Sequence, residues 1–150
     1  MIKAIVFDVD DTLYDTKPSF NQAFNETFNL NLSDELMDNV FSNYTQQEQL
    51  AIAESNSDSN IKLSEDEINF HSLHHTFKRF DFNGLSQETA AAFSEAYQLA
   101  SNSIHLFDGL TTLFNELASK FQLGIITNGS NEVQLAKIMK LKLHHWFGRD

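Results

Sequence analysis

The sequence predicts an α/β fold in which a small parallel sheet carries a long helical insert, and three observations lead to this prediction. Two apolar runs, residues 2–7 and residues 121–126, have the length and composition of buried strands. The long stretch between them carries helical signals throughout. Polar residues suited to chemistry follow each apolar run directly. We therefore expect the order strand, helical insert, helix, strand, helix.

The first strand is expected at residues 2–7, where Ile5, Val6 and Phe7 show no polar alternation and so suit a central strand buried on both faces. Asp8 and Asp10 follow it, at the end of a strand where open α/β sheets bind ligands. Extended backbone would point these two side chains to opposite faces, so the chain must turn after Asp8 for them to converge. The run Asp-Asp-Thr at residues 10–12 favours such a turn. An acidic turn that merely ends a strand is the alternative interpretation.

Helix signals divide the insert. Phenylalanines recur every four residues at Phe20, Phe24 and Phe28, which is core spacing on one helical face and not a base-stacking pattern. Helix starts are indicated by proline, by capping serines and by the onset of apolar periodicity, at Pro18, Ser33, Ser64, Ser86 and Leu110. Ser64 with Glu67 has the pattern of a capping box, and residues 55–60 are predicted to form a polar loop.

The second strand is expected at residues 121–126, and Thr127, Asn128, Gly129 and Ser130 follow it before a further helical pattern begins. A hydroxyl group and backbone N–H groups at the positive end of a helix can cradle a phosphate. The alternative is an ordinary strand-to-helix loop in which Ser130 is the N-cap.

The two strand ends together resemble the haloacid dehalogenase (HAD) superfamily of phosphohydrolases. Asp-Val-Asp-Asp-Thr at residues 8–12 is similar to its first motif, and Thr-Asn-Gly at residues 127–129 to its second. The resemblance covers the chain from end to end. It implies a HAD-like Rossmannoid core formed by residues 1–15 and 106–150, with a parallel sheet that is incomplete here, and an inserted α-helical cap at residues 16–105.

The resemblance also implies roles for individual residues. Asp8 would be the nucleophile that forms an aspartyl-phosphate, and Asp10 the general acid and base. Mg²⁺ would bind to the carboxylate of Asp8 and the backbone carbonyl of Asp10. Thr127, Asn128 and Gly129 would bind the phosphate group. The expected activity is hydrolysis of small phosphorylated metabolites, such as a nucleotide monophosphate or a sugar phosphate.

Asp10 favours a phosphatase over a dehalogenase, because a departing halide needs no proton and dehalogenating relatives lack this second acid. Thr12 favours a phosphatase over a phosphomutase, more weakly. The later lysine and metal-binding acids of the superfamily are not found before the chain ends at Asp150. We assign the lysine role to none of Lys137, Lys140 and Lys142. We therefore expect a truncated form. The alternative is a catalytically inactive fragment that folds and self-associates through exposed strand edges.

Composition excludes several other classes. The formal net charge of −11, from 21 acidic and 10 basic residues, argues against nucleic acid as a partner and means that an anionic substrate needs a bridging cation. The sequence has no cysteine and no run of about 20 apolar residues that would suit a membrane span, so we expect a soluble, cytoplasmic protein without disulfides. His71, His74 and His75 have a spacing that could hold zinc, but a surface histidine cluster is the preferred interpretation.

Overall fold

The computed structural model of the chain describes residues 2–57, 62–129 and 131–148. The chain forms two compact units, one of Met1–Thr16 with Ser101–Asp150 and one of Lys17–Ala100. The predicted α/β class is confirmed: the described residues are mostly helical and include a parallel pair of strands. Every helix in the described part of the chain is too short or too polar to cross a lipid bilayer.

The helices and strands follow the predicted order. In chain order they are β1 (Ala4–Phe7), α1 (Lys17–Phe28), α2 (Asp34–Ser57), α3 (Glu65–Arg79), α4 (Gln87–Ala100), α5 (Leu110–Ala118), β2 (Gln122–Ile125) and α6 (Asn131–Lys140). Short 3-10 turns lie at Ser101–Ser103 and Leu143–His145. Ser130, the N-cap in the alternative interpretation of the second polar segment, lies outside the described residues.

The two strands pair in parallel, but the prediction that β1 is buried on both faces is wrong. Ile5 and Phe7 point into the core of the first unit, whereas Val6 is 52% exposed. Side chains alternate along a strand, so burial of both faces requires a covering layer on each side. Packing against one face is what the described residues provide. The apolar run of β1 therefore did not show whether a neighbouring layer would cover both of its faces.

The core of the first unit is aromatic. Phe114 of α5 is fully buried and lies edge-to-face with Phe7, with ring centroids 5.5 Å apart, and with Phe147, at 5.1 Å. Val9 and Leu13, on either side of the acidic turn, belong to the same cluster and are 0% and 1% exposed. The backbone that carries the acidic side chains is therefore anchored by apolar residues placed between them.

The second unit is a bundle of α1 to α4 around a phenylalanine core. Phe20, Phe24 and Phe93 are fully buried, which confirms that the four-residue spacing marks a core face. A polar link crosses this core: the hydroxyl of Tyr44 donates to Oδ1 of Asn69 at 3.0 Å. Burial raises the pKa of Tyr44 well above its ordinary value, so this phenol stays neutral and acts as a hydrogen-bond donor.

The predicted polar loop at residues 55–60 begins later than expected, because α2 continues through Ser57. Residues 58–60 lie outside the described part of the chain. Ala51 is fully buried and anchors the end of α2, and a helix that is already formed adds residues at little cost. The hydroxyl of Ser57 donates to the carbonyl of Glu54 at 3.0 Å, as a helical serine can.

The capping box of α3 is confirmed and leads to a stability prediction. Oγ of Ser64 accepts from the backbone N–H of Glu67 at 3.3 Å, and the Glu67 carboxylate accepts from the N–H of Ser64 at 2.8 Å. This backbone bond lowers the pKa of Glu67. We expect Ser64→Ala to lower the free energy of unfolding by about 1 kcal/mol, measured by urea denaturation. Ser42→Ala, at an exposed serine inside α2, is the control, and an equal loss there would contradict the capping assignment.

Candidate active site

The turn expected after the first strand is present. β1 ends at Phe7, and the carbonyl of Val9 accepts from the N–H groups of Thr12, at 3.3 Å, and Leu13, at 3.0 Å. The chain therefore leaves the extended conformation directly after Asp8. Asp8 and Asp10 are thus separated by a change of backbone direction, which releases them from the opposite-face geometry of a strand.

Asp11, the third acid of this segment, has a structural role. Its φ of +55° places it in the left-handed region, which aspartate tolerates better than most residues. Its carboxylate accepts from both the backbone N–H of Thr16, at 3.0 Å, and the Thr16 hydroxyl, at 2.5 Å. Thr16 is nearly buried at 8% exposure. These bonds close the loop of residues 11–16, which directly follows Asp10.

The strand register brings the two polar segments to the same edge of the sheet. Phe7 pairs with Ile125, and the N–H of Ile126 donates to the carbonyl of Phe7 at 2.9 Å. Asp8 and Thr127 therefore follow at the carboxyl ends of adjacent parallel strands. This edge is where open α/β sheets bind ligands.

The Asp10 carboxylate is held by three side-chain donors. The hydroxyl of Tyr14 donates to Oδ1 at 2.5 Å, and Nε2 of Gln134 donates to Oδ2 at 3.1 Å. Nζ of Lys137 donates to both oxygens, at 2.7 and 2.9 Å. The Lys137 and Asp10 side chains are 18% and 32% exposed, so this ion pair is partly shielded from water. The orientation of the carboxylate is thereby restrained at both oxygens.

Gln134 connects Asp10 to the second polar segment. Its Oε1 accepts from the hydroxyl of Thr127 at 3.2 Å, while its Nε2 donates to Asp10. Gln134 is 7% exposed. At Gly129, where φ is +116°, a Cβ would lie only 2.9 Å from Nε2 of Gln134. The buried amide of Gln134 therefore contacts two predicted site residues, Asp10 and Thr127. Its position also requires that the third, Gly129, has no side chain.

Asp8 and Asn128 stand apart from this network. Both are exposed, and among residues 2–57, 62–129 and 131–148 no hydrogen bond joins either one to Asp10 or Gln134. Asp8 accepts from the hydroxyl of Thr12 at 3.5 Å, which is long for a hydrogen bond. The carboxylate of Asp8 is therefore open to solvent and accessible to a ligand.

Three members of the network were not predicted as site residues: Tyr14, Gln134 and Lys137. Tyr14 lies four residues after Asp10 in a turn, a separation at which side chains can meet. Gln134 and Lys137 are three residues apart and share a face of α6. The local pattern therefore contained a signal that these two act on one target. The pattern could not show that this target is Asp10, because Lys137 and Asp10 are 127 positions apart in the sequence.

The available oxygen donors fit Mg²⁺. The Asp8 carboxylate is exposed, and it and the backbone carbonyl of Asp10 are hard ligands of the kind Mg²⁺ prefers, with water filling the remaining positions. In the described part of the chain, no group of three or more histidine, cysteine, aspartate or glutamate side chains is arranged to hold a metal ion. The two candidate metal ligands, the Asp8 carboxylate and the Asp10 carbonyl, thus both bind through oxygen.

The histidine cluster of α3 does not form such a group either. The rings of His71 and His75 are 4.4 Å apart between centroids, and those of His74 and His75 are 5.7 Å apart. Desolvation, and then the charges of His71 and His74, lower the pKa of His75. The three rings lie on one helix, and the described residues hold no group of three or more ligating side chains arranged for a metal ion, so the cluster gives no support to a zinc site.

The fold belongs to the α/β class, with a long helical insert after the first strand. The candidate site has acids at the end of one strand and a hydroxyl at the end of the next. The chain belongs to the haloacid dehalogenase-like hydrolase family, whose model matches residues 2–150. No curated protein sequence matches the chain.

Solved structures share the fold at low sequence identity. The candidate HAD-hydrolase YfnB from Bacillus subtilis, bound to magnesium, is 21% identical with a TM-score of 0.63, over 97% of this chain and 61% of that one. The L-2-haloacid dehalogenase from Xanthobacter autotrophicus is 17% identical with a TM-score of 0.67, over 98% and 55%. A candidate β-phosphoglucomutase from Thermotoga maritima is 16% identical with a TM-score of 0.64, over 97% and 59%. The chain thus spans a little over half the length of these proteins.

Proposed function

We propose that the protein is a Mg²⁺-dependent phosphatase that hydrolyses small phosphorylated metabolites through an aspartyl-phosphate on Asp8. The observation that carries the proposal is the Asp10 carboxylate, held by Tyr14, Gln134 and Lys137 in one network with Thr127. An alcohol leaving a phosphate ester needs a proton, whereas a departing halide does not. The presence of a second acid, Asp10, in one hydrogen-bond network with the hydroxyl of Thr127 therefore favours phosphate ester hydrolysis over dehalogenation.

The proposed reaction has two displacements at phosphorus. A carboxylate oxygen of Asp8 attacks phosphorus, and the bond between phosphorus and the ester oxygen breaks. Asp10, in its protonated form, gives its proton to that departing oxygen and becomes a carboxylate, so the alcohol leaves neutral. Water then attacks the aspartyl-phosphate, Asp10 takes the proton from the water, and inorganic phosphate and the Asp8 carboxylate are released.

Thr127 and the backbone of Asn128 and Gly129 would bind the phosphoryl oxygens. The Thr127 hydroxyl, which donates to Gln134 in this structure, would turn to donate to the phosphate. Mg²⁺, when bound by Asp8 and the Asp10 carbonyl, would neutralise part of the negative charge shared by the nucleophile and the phosphate. A net charge of −11 makes such neutralisation necessary for any anionic substrate. We propose a nucleotide monophosphate or a sugar phosphate as the substrate, and no nucleic acid partner.

The test compares leaving groups and metals in one experiment. The protein, expressed at the length its gene encodes, is given p-nitrophenyl phosphate, a sugar phosphate, a nucleoside monophosphate and 2-chloropropionate. Phosphate and chloride release are measured with Mg²⁺, with Zn²⁺ and after chelation. We expect phosphate release with Mg²⁺ alone. Chloride release without phosphate release would overturn the proposal in favour of a dehalogenase.

A histidine variant serves as the control for the metal assignment. His71→Ala combined with His74→Ala removes part of the cluster on α3 and leaves Asp8 and Asp10 unchanged. We expect this double variant to keep the turnover and the Mg²⁺ dependence of the parent protein. Loss of activity that Zn²⁺ restores would show that the histidine cluster holds the functional metal.

Gly129 provides a further prediction, because it has both a positive φ and close contact with Gln134. We expect Gly129→Ala to lower kcat/KM by roughly ten- to a hundredfold, since the added methyl displaces the amide that links Asp10 and Thr127. Backbone strain should also cost about 1–3 kcal/mol in the free energy of unfolding. Gly109→Ala is the matched control, because Gly109 has a φ of +84° and nothing within 4 Å. Gly109→Ala should have a similar backbone strain but keep the kcat/KM of the parent protein. Equal kcat/KM in Gly109→Ala and Gly129→Ala would contradict the prediction.

A further inference from the structure

We propose that Gln134 and Lys137 of α6 are positioning residues that hold the side chain of Asp10 at the leaving oxygen of the substrate and tie it to the phosphate-binding Thr127. This inference rests on the proposed phosphatase function and deepens it. Neither residue belongs to the two motifs that define the site in the sequence.

Lys137 restrains the carboxylate in two directions at once. Its Nζ lies 2.7 Å from Oδ1 and 2.9 Å from Oδ2 of Asp10, so rotation of the carboxylate would break one of the two bonds. The lysine side chain is only 18% exposed, which makes it a partly desolvated contact and not a surface ion pair. On the same helix, the apolar residues Leu135 and Met139 are 60% and 54% exposed, whereas the polar pair faces Asp10.

Gln134 adds a link that a second lysine could not provide. Its amide donates to Asp10 and accepts from Thr127, so each end of one planar group has a different partner. The side chain is nearly buried, and replacing it with an apolar group would leave a donor and an acceptor of the site without their partner. Gln134 therefore sets the separation between the acid/base group and the phosphate-binding hydroxyl.

This separation matters for one step in particular. A general acid acts only when it lies within hydrogen-bond reach of the departing oxygen, and a misplacement of about 1 Å can cost on the order of a hundredfold in rate. An alkyl phosphate releases a strongly basic alkoxide unless it is protonated. A p-nitrophenyl ester releases a stable phenolate without help. A defect confined to the position of Asp10 should therefore affect the alkyl ester selectively.

The experiment measures kcat/KM for an alkyl phosphate and for p-nitrophenyl phosphate in Lys137→Met, Gln134→Leu and Lys137→Arg. We expect the first two variants to lose on the order of a hundredfold on the alkyl ester and a few-fold on the aryl ester. Lys137→Arg keeps two donors toward the carboxylate and should restore most of the alkyl activity. Lys140→Met is the matched control, because Lys140 is exposed on the same helix and bonds to Asn102 instead.

A double variant tests whether the effect passes through Asp10. In an Asp10→Asn background, Lys137→Met should cause no further loss on the alkyl ester, since the group it positions is already gone. Additive losses, or equal losses on both esters, would overturn the inference in favour of a structural role. If Gln134→Leu fails to fold by circular dichroism, Gln134→Asn, which is shorter by one methylene, is used and must show the same selective loss.

Failure of this inference differs from failure of the proposed function. A parent protein that hydrolyses neither ester, or that hydrolyses both equally well after Asp8→Asn, would refute the phosphatase proposal and the inference with it. A parent protein whose hydrolysis requires Asp8, but whose preference between the two esters is unchanged by both α6 variants, would refute the inference alone.

Discussion

Asp8→Asn is expected to lower kcat/KM for every phosphate ester by about four orders of magnitude or more while the fold stays intact. The neutral amide cannot replace the carboxylate as a nucleophile toward phosphorus, so the aspartyl-phosphate does not form. Asp8 is exposed, and its side chain accepts from Thr12 at a long 3.5 Å, so the substitution should leave the buried neighbours Val9 and Leu13 in place.

Steady-state kinetics, circular dichroism and trapping of the phosphoenzyme by rapid quench and mass spectrometry would test this expectation. The covalent intermediate should be present in the parent protein and absent from the variant. Asp11→Asn is the matched control, since Asp11 is the neighbouring acid whose bonds go to Thr16 and not to the site. Asp11→Asn should lower the free energy of unfolding and leave the hydrolysis largely intact. Retained hydrolysis in Asp8→Asn would remove Asp8 from the nucleophile role.

Asp10→Asn is expected to lower kcat/KM for alkyl phosphates by about 10²- to 10⁴-fold, which is the usual contribution of a general acid. The loss on p-nitrophenyl phosphate should be much smaller, because that leaving group needs no proton. The amide can still accept from Tyr14, but it offers Lys137 no counter-charge. A modest loss of thermal stability should therefore accompany the kinetic effect.

The measurement is a plot of log kcat/KM against the basicity of the leaving group for a series of esters. The slope should become steeper in Asp10→Asn than in the parent protein. A parallel shift of the whole line would mean that Asp10 acts equally on all substrates, as a residue would that only maintains the fold. Thermal unfolding of each variant separates the two effects.

Much of the helical architecture could be predicted because its signals are local. The capping box of Ser64 and Glu67 and the phenylalanine spacing of α1 depend on residues three or four positions apart, and both are confirmed. The exposure of Val6 could not be predicted in this way, because an apolar residue in a strand becomes buried only if another layer covers its face. The extension of α2 through Ser57 likewise depended on the anchoring of Ala51 in the core.

For the candidate site, the sequence by itself determined the placement of acids after one strand and of a hydroxyl after the next. Strand register then brought Asp8 and Thr127 to the same edge, as parallel pairing of adjacent strands requires. Only the tertiary structure decided which side chains surround the Asp10 carboxylate. Lys137 and Gln134 reach it from α6 across 127 and 124 positions of the chain. Because hydrogen bonds and ion pairs act over a few ångströms of space whatever the separation along the chain, such partners are known only once the helix is packed beside the sheet.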